Sequence, residues 1–208
     1  MSNQSNTILL STAYLPDLAY LSAVLNADSI YIENHEYFIK QTFRNRCSIL
    51  TSNGKQLLSI PLLKQADKEL IKDKRISYSE NWQQQHWRTI TSSYKNSPYF
   101  EFFEDDLKPF YTNRFDLLID YNTELLKIIL HILRKQKIIV TTAEYIKIIE
   151  NRIDLRDAAF QIKHHNVYQK NYYQVFEDKF NFTSELSCLD ALFNVGLETI
   201  DLAMNYEL

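Results

Sequence analysis

The chain has 208 residues, a formal net charge of −3 and a hydrophobic fraction of 45%, enough for one ordinary core without disulfide or metal support. The balanced charge leaves no basic footprint for DNA and no reason to invoke an anionic membrane surface. Only two glycines, Gly54 and Gly196, and two cysteines, Cys47 and Cys188, are present, so neither a glycine-rich phosphate loop, a dinucleotide fingerprint nor a disulfide framework can be assembled.

The polar start MSNQSN carries no leader pattern, and the longest apolar runs fall far short of the roughly 20 residues that span a bilayer. A cytoplasmic protein without membrane insertion is the expectation. TILLSTAYL then reads as a buried strand, PDLAYLSAVLNA as a helix with Pro16 in its first turn, and DSIYIE as a second strand. Strand, helix, strand at this spacing predicts a parallel βαβ unit with a right-handed crossover. Ligands in open α/β sheets favour the carboxyl ends of strands, which here carry Tyr14, Glu33 and His35.

The stretch YIENHEYFIKQTFRNR gathers ionisable groups after that second strand. Glu33, His35 and Glu36 read either as an acid/base set or as a solvated strand exit, and no recognised zinc spacing accompanies them. Arg44 and Arg46 read either as a bidentate clamp for phosphate or carboxylate, or as surface ion pairs. Asn45 with Arg46 suits a developing oxyanion. Next, Asn53-Gly54 sits between two alternating runs and predicts a two-residue type I′ hairpin with Leu50 opposite Leu57 and Cys47 opposite Ile60. That register puts Cys47, Ile49, Leu58 and Ile60 on one apolar face, where a thiol behaves as an inert hydrophobe.

A further strand is expected in ELIKDKRISY, followed by a helix over 82–96 that Asn81 and Gln84 would cap. On that helix Trp87, Ile90 and Tyr94 form an apolar stripe, and Trp82, His86, Thr89 and Ser93 form a semi-polar one beside it. His86 is then either a satisfied, partly buried histidine or a general base in a cleft walled by Trp82. Helices are expected in PYFEFFEDDLKPFY and from 113 to 136, a strand in KIIVT, a helix in AEYIKIIEN, and two C-terminal helices separated at Gly196. Residues 155–180 carry no clear pattern. The fold class is α/β (or α+β): a single domain over 1–208 with an N-terminal βαβ unit, a β-hairpin at about 47–60 and a mainly helical C-terminal half.

AYLPDLAYL, YIENHEYFIKQTFRNRC, LSIPL before IKDKRIS, WQQQHWRTITSSYKNSPYFEFFEDDL, YYQVFEDKFNF and LSCLDALFNVG occur in this order along nearly the whole chain. As an ordered series they resemble the WbqC-like protein family, with wording similar to its Bacteroidetes members. Ser11-Thr12-Ala13 departs from the Gln-Pro pair expected at that strand end. The resemblance implies a place in bacterial surface-polysaccharide, O-antigen-type biosynthesis. It also implies a possible activity, acyl or aminoacyl transfer to an amino-sugar intermediate. On that reading His86 or Glu33 is the base, Asn45 and Arg46 hold an oxyanion or phosphate, and Trp82 is a stacking wall for the sugar. Tyr14, His35, Lys40, Arg44 and Gln174 complete the expected substrate contacts. A sugar or sugar-nucleotide acceptor and a donor activated elsewhere are the expected partners, with no cofactor and no metal. The alternative is a non-catalytic module that binds a sugar nucleotide or a protein of such a pathway.

Overall fold

The computed structural model describes residues 6–64, 66, 68–147, 153–156 and 170–206. It is a mixed α/β single domain built around a parallel sheet. Strands β1 (Thr7–Leu10) and β2 (Ser29–Ile32) pair in parallel, Thr7 beside Ser29 and Leu10 beside Ile32, and are joined by helix α1 (Leu18–Asn26). The expected βαβ unit is therefore present. Ile8, Leu9 and Leu10 are all buried, as befits a strand covered on both faces. Asp17, not Pro16, starts the helix: its side chain accepts from the Tyr20 N–H at 2.9 Å, which leaves Pro16 just outside.

The hairpin is β3 (Arg46–Thr51) with β4 (Gly54–Ser59), and its register differs from the predicted one by two residues. Thr51 pairs with Gly54 and Cys47 with Leu58, so Ser52 and Asn53 make the turn and Gly54 follows at φ +100°. Asn53 keeps a negative φ, so the turn is not type I′. The left-handed demand falls on the glycine after it, as in a turn closed by a glycine bulge. A slip of two preserves side-chain parity. Cys47, Ile49, Leu58 and Ile60 are accordingly all buried, as expected.

Chain order continues with α2 (Trp82–Tyr94), α3 (Phe100–Leu107) and α4 (Leu118–Ile132). Asn81 precedes α2 without a side-chain cap bond. The strand expected in ELIKDKRISY is instead a 3-10 turn at Ile71–Asp73 flanked by isolated bridges. KIIVT does form a strand, β5 (Ile138–Thr141), parallel to the far side of β2, and β6 (Ile153–Asp154) pairs with β1 to give the order β5-β2-β1-β6. Lys137 ties β5 to α1, donating to the carbonyls of Leu25 at 2.7 Å and Ala27 at 2.5 Å, a cation on the carbonyl end of a helix. Of the helix expected in AEYIKIIEN, residues 143–147 are not helical and 148–151 lie outside the described residues.

The C-terminal part contains α5 (Glu177–Phe180), α6 (Cys188–Val195) and α7 (Thr199–Met204). Gly196 separates the last two at φ +60°, and a Cβ there would meet the Tyr99 ring at 2.7 Å. Both its backbone angle and that close approach require glycine. Among the described residues no helix is long and apolar enough to cross a membrane.

Candidate functional site

At the carboxyl end of β2, Glu33 is fully buried and accepts four hydrogen bonds. They come from Thr142 Oγ1 at 2.7 Å, the His35 N–H at 2.9 Å, the Ile146 N–H at 3.1 Å and Arg156 at 3.2 Å. Beside it Arg44, 1% exposed, makes a two-nitrogen contact with Glu36 at 2.8 and 2.9 Å and also reaches Ser11 Oγ at 2.9 Å. Arg156 turns its remaining nitrogens to Asp154. Where open sheets usually admit a ligand, this chain has a mutually satisfied set of charges. Arg44 is thus committed to Glu36, while Arg46 stands apart at the start of β3, since residues 40–45 form turns rather than strand.

His86 is 6% exposed. Its Nδ1 lies 3.0 Å from the hydroxyl of fully buried Tyr14, which also meets the Tyr111 hydroxyl at 3.2 Å. Burial pushes the imidazole down to about 4, and a hydrogen bond with the Ser59 backbone opposes this only in part. At neutral pH the ring is therefore uncharged. Trp82 meets His86 edge-on at 5.1 Å and Tyr121 at 5.8 Å, and is itself 2% exposed, so its indole presents no open face for a sugar. Gln174 is also buried. It donates to Asp190 at 2.8 Å, which Tyr94 and Tyr172 bond as well, locking the 170–183 segment to α6. Burial raises the Asp190 carboxyl, and its four side-chain partners pull it back.

A different part of the same sequence stretch is open. A cleft of about 340 Å³ lies between the 38–46 turn, the start of β3 and the 62–74 segment. Lys40, Asn45 and Arg46 line it together with Phe38 and the Glu69–Lys74 pair, whereas Glu33 and His86 do not. Lys74 is fully engaged: its ammonium donates to Leu63 O at 2.8 Å and Glu69 at 2.9 Å and sits 5.3 Å from the Phe38 ring centre. By contrast Arg46 Nε and Asn45 Oδ1 are buried with no partner among the described residues. Asn45 Nδ2 donates to Ile60 O at 2.9 Å, which fixes which end of the amide is left over. Two buried, unused polar atoms on neighbouring residues are costly unless something satisfies them.

A family model described as WbqC-like protein family matches residues 12–156. The chain belongs to the WbqC-like family. It is also similar to the uncharacterized protein Rv1507c of Mycobacterium tuberculosis, 27% identical over 104 residues, which is 50% of this chain and 45% of that protein. The chain thus spans under half the length of that curated relative. No solved structure matches it.

The WbqC-like match takes in the saturated sheet end, the cleft and α2, while Gln174 and the Asp190 network lie beyond it. Of the residues expected at a site, Lys40, Asn45 and Arg46 come together in the cleft. Glu33 and Arg44 belong to the ion network, and His35, half-buried, follows Glu33 with its Nδ1 unpartnered among the described residues. Tyr14, Trp82 and His86 form one buried cluster. Glu69, Lys74 and Phe38 were not anticipated. The signal for them lies in the hairpin: Ser59 pairs with Arg46 and the Ile60 N–H bonds Asn45 O, so the chain after β4 must run back past the 40–46 turn. Cys47 is buried and its thiol is raised by burial, in keeping with the inert reading. The described residues contain no group of three or more potential metal ligands.

Proposed function

We propose that this chain binds the anionic part of a phosphorylated sugar or sugar nucleotide in the cleft at Lys40, Asn45 and Arg46, as a binding module of a bacterial surface-polysaccharide pathway. One observation carries this reading: Asn45 and Arg46 line a cleft that also holds Lys40, and each has a buried side-chain polar atom, Oδ1 and Nε, with no partner among the described residues. An arginine fork matches phosphate oxygens, and a concave surface of this size is the ordinary setting for a small ligand. The pathway comes from the family alone.

Acyl or aminoacyl transfer to an amino sugar is the second reading. Its support is Glu69, a carboxylate on the same cleft wall as Asn45 and Arg46. That carboxylate already accepts from Lys74 and from the Ala66 N–H at 3.0 Å, and the expected bases His86 and Glu33 are occupied elsewhere. Binding therefore stands first. The test is a thermal-shift titration with UDP-glucose and UDP-N-acetylglucosamine, since a ligand that prefers the native state raises the melting temperature. The wild type should shift with increasing ligand and Arg46→Gln should not. Equal shifts in both, or none in the wild type, would count against the cleft.

A further inference from the structure

An anion site at Lys40, Asn45 and Arg46, the reading on which the selectivity of the cleft rests, can hold either end of a sugar nucleotide. We infer that the cleft selects a phosphate ester carrying a hydroxyl next to the phosphate, the sugar-phosphate part of its ligand, rather than an anion without that hydroxyl. Three observations lead there.

The first is charge. Four cations line the cleft, Lys40, Arg46, Lys64 and Lys74; Lys40 and Arg46 have no ion pair among the described residues, while Lys74 is bound to Glu69 and to Leu63 O. A lining with this excess of cations over the single Glu69 carboxylate favours an anion, and Lys40 with Arg46 suit the oxygens of a phosphate ester. The second is the Asn45 amide. The side chain is 8% exposed and its Nδ2 is spent on Ile60 O, so what remains is an acceptor, Oδ1, with no donor among the described residues. The dianion of a phosphate monoester has only acceptor oxygens and cannot satisfy it. Methyl phosphate would answer Arg46 and leave Asn45 unanswered, whereas a ligand with a hydroxyl adjoining the phosphate answers both. The third is size. At about 340 Å³ the cleft lies at the small end of ligand pockets, room for a monosaccharide phosphate with any nucleotide left outside.

Calorimetric titrations of the full chain with glucose 1-phosphate, methyl phosphate, inorganic phosphate, pyrophosphate and glucose separate these features. Glucose 1-phosphate should bind roughly tenfold or more tightly than methyl phosphate, which has the same anion and no hydroxyl, and than glucose, which has no anion. Lys40→Gln, at an exposed position, should weaken glucose 1-phosphate and methyl phosphate by a similar factor. Asn45→Leu should bring glucose 1-phosphate down to the level of methyl phosphate. The methyl phosphate comparison needs no variant, so it decides the matter even if Asn45→Leu does not fold. Equal affinity for glucose 1-phosphate and methyl phosphate, or tighter binding of pyrophosphate, overturns the selectivity while the anion site stands. If no anion binds and Arg46→Gln changes nothing, the cleft reading itself falls, and this inference with it.

Discussion

Residues 33–46 supply two polar regions that differ in one respect. At the carboxyl end of the sheet Glu33, Glu36, Arg44 and Arg156 use their charges on one another. A few residues on, Lys40, Asn45 and Arg46 leave polar groups unused on a cleft wall. In a sequence the two groups look alike, dense in charge and close to a strand end. The structure separates them by partnership. Charge that has been satisfied internally holds the fold, and charge that has not is what the proposed ligand would meet.

The largest expected effect comes from breaking the satisfied region. Arg44→Ala would strand the Glu36 carboxylate in a largely buried place and should cost about 3–5 kcal/mol in urea unfolding. Replacing both partners, Arg44→Met with Glu36→Leu, should recover much of that loss. A single variant of near wild-type stability would mean that the pair is not what closes the sheet end.

Acidification should act next in size. His86 is held neutral with a folded value of about 4 against an ordinary 6.5. Its contribution is complete above 6.5 and disappears as pH falls towards 4, because the unfolded chain takes up the proton first. The loss amounts to about 3 kcal/mol at most. Asp190, whose carboxyl is raised, works in the opposite sense, so the slope should be read as the difference between wild type and His86→Gln across that window. Identical slopes would contradict the sealed imidazole.

Thr142→Val removes one of the four donors on buried Glu33 and should cost about 1.5–3 kcal/mol in the same unfolding experiment. At the small end, Arg46→Gln gives up no ion pair that the described residues show and should change stability by no more than about 0.5 kcal/mol. A large loss there would move Arg46 from the ligand side of the comparison to the structural side.

How far the sequence reveals this division depends on the range of the interactions. The βαβ unit was legible because its signals are local: two short apolar strands and a helix between them. The buried face of the hairpin was legible although its register was not, since Asn53-Gly54 suits more than one turn and a slip of two leaves Cys47 and Ile49 on the same side. The commitment of Arg44 to Glu36 depends on the turns over 40–45, which no local pattern announces. The pairing of β5 with β2, the Lys137 cap and the Glu69–Lys74 wall join residues far apart in the chain, and no periodicity encodes them. The candidate site was legible only as a set of residue types. Which of Glu33, Arg44 and Arg46 would be spent and which left free is a property of packing.

Crystals of the chain soaked with glucose 1-phosphate test the central claim most directly, because they locate the anion. Phosphate density is expected within hydrogen-bond distance of the Arg46 guanidinium, with a sugar hydroxyl on Asn45 Oδ1. Density at the Glu33–Arg156 end of the sheet, or in the apolar groove of Tyr99, Phe102 and Leu197, would contradict it.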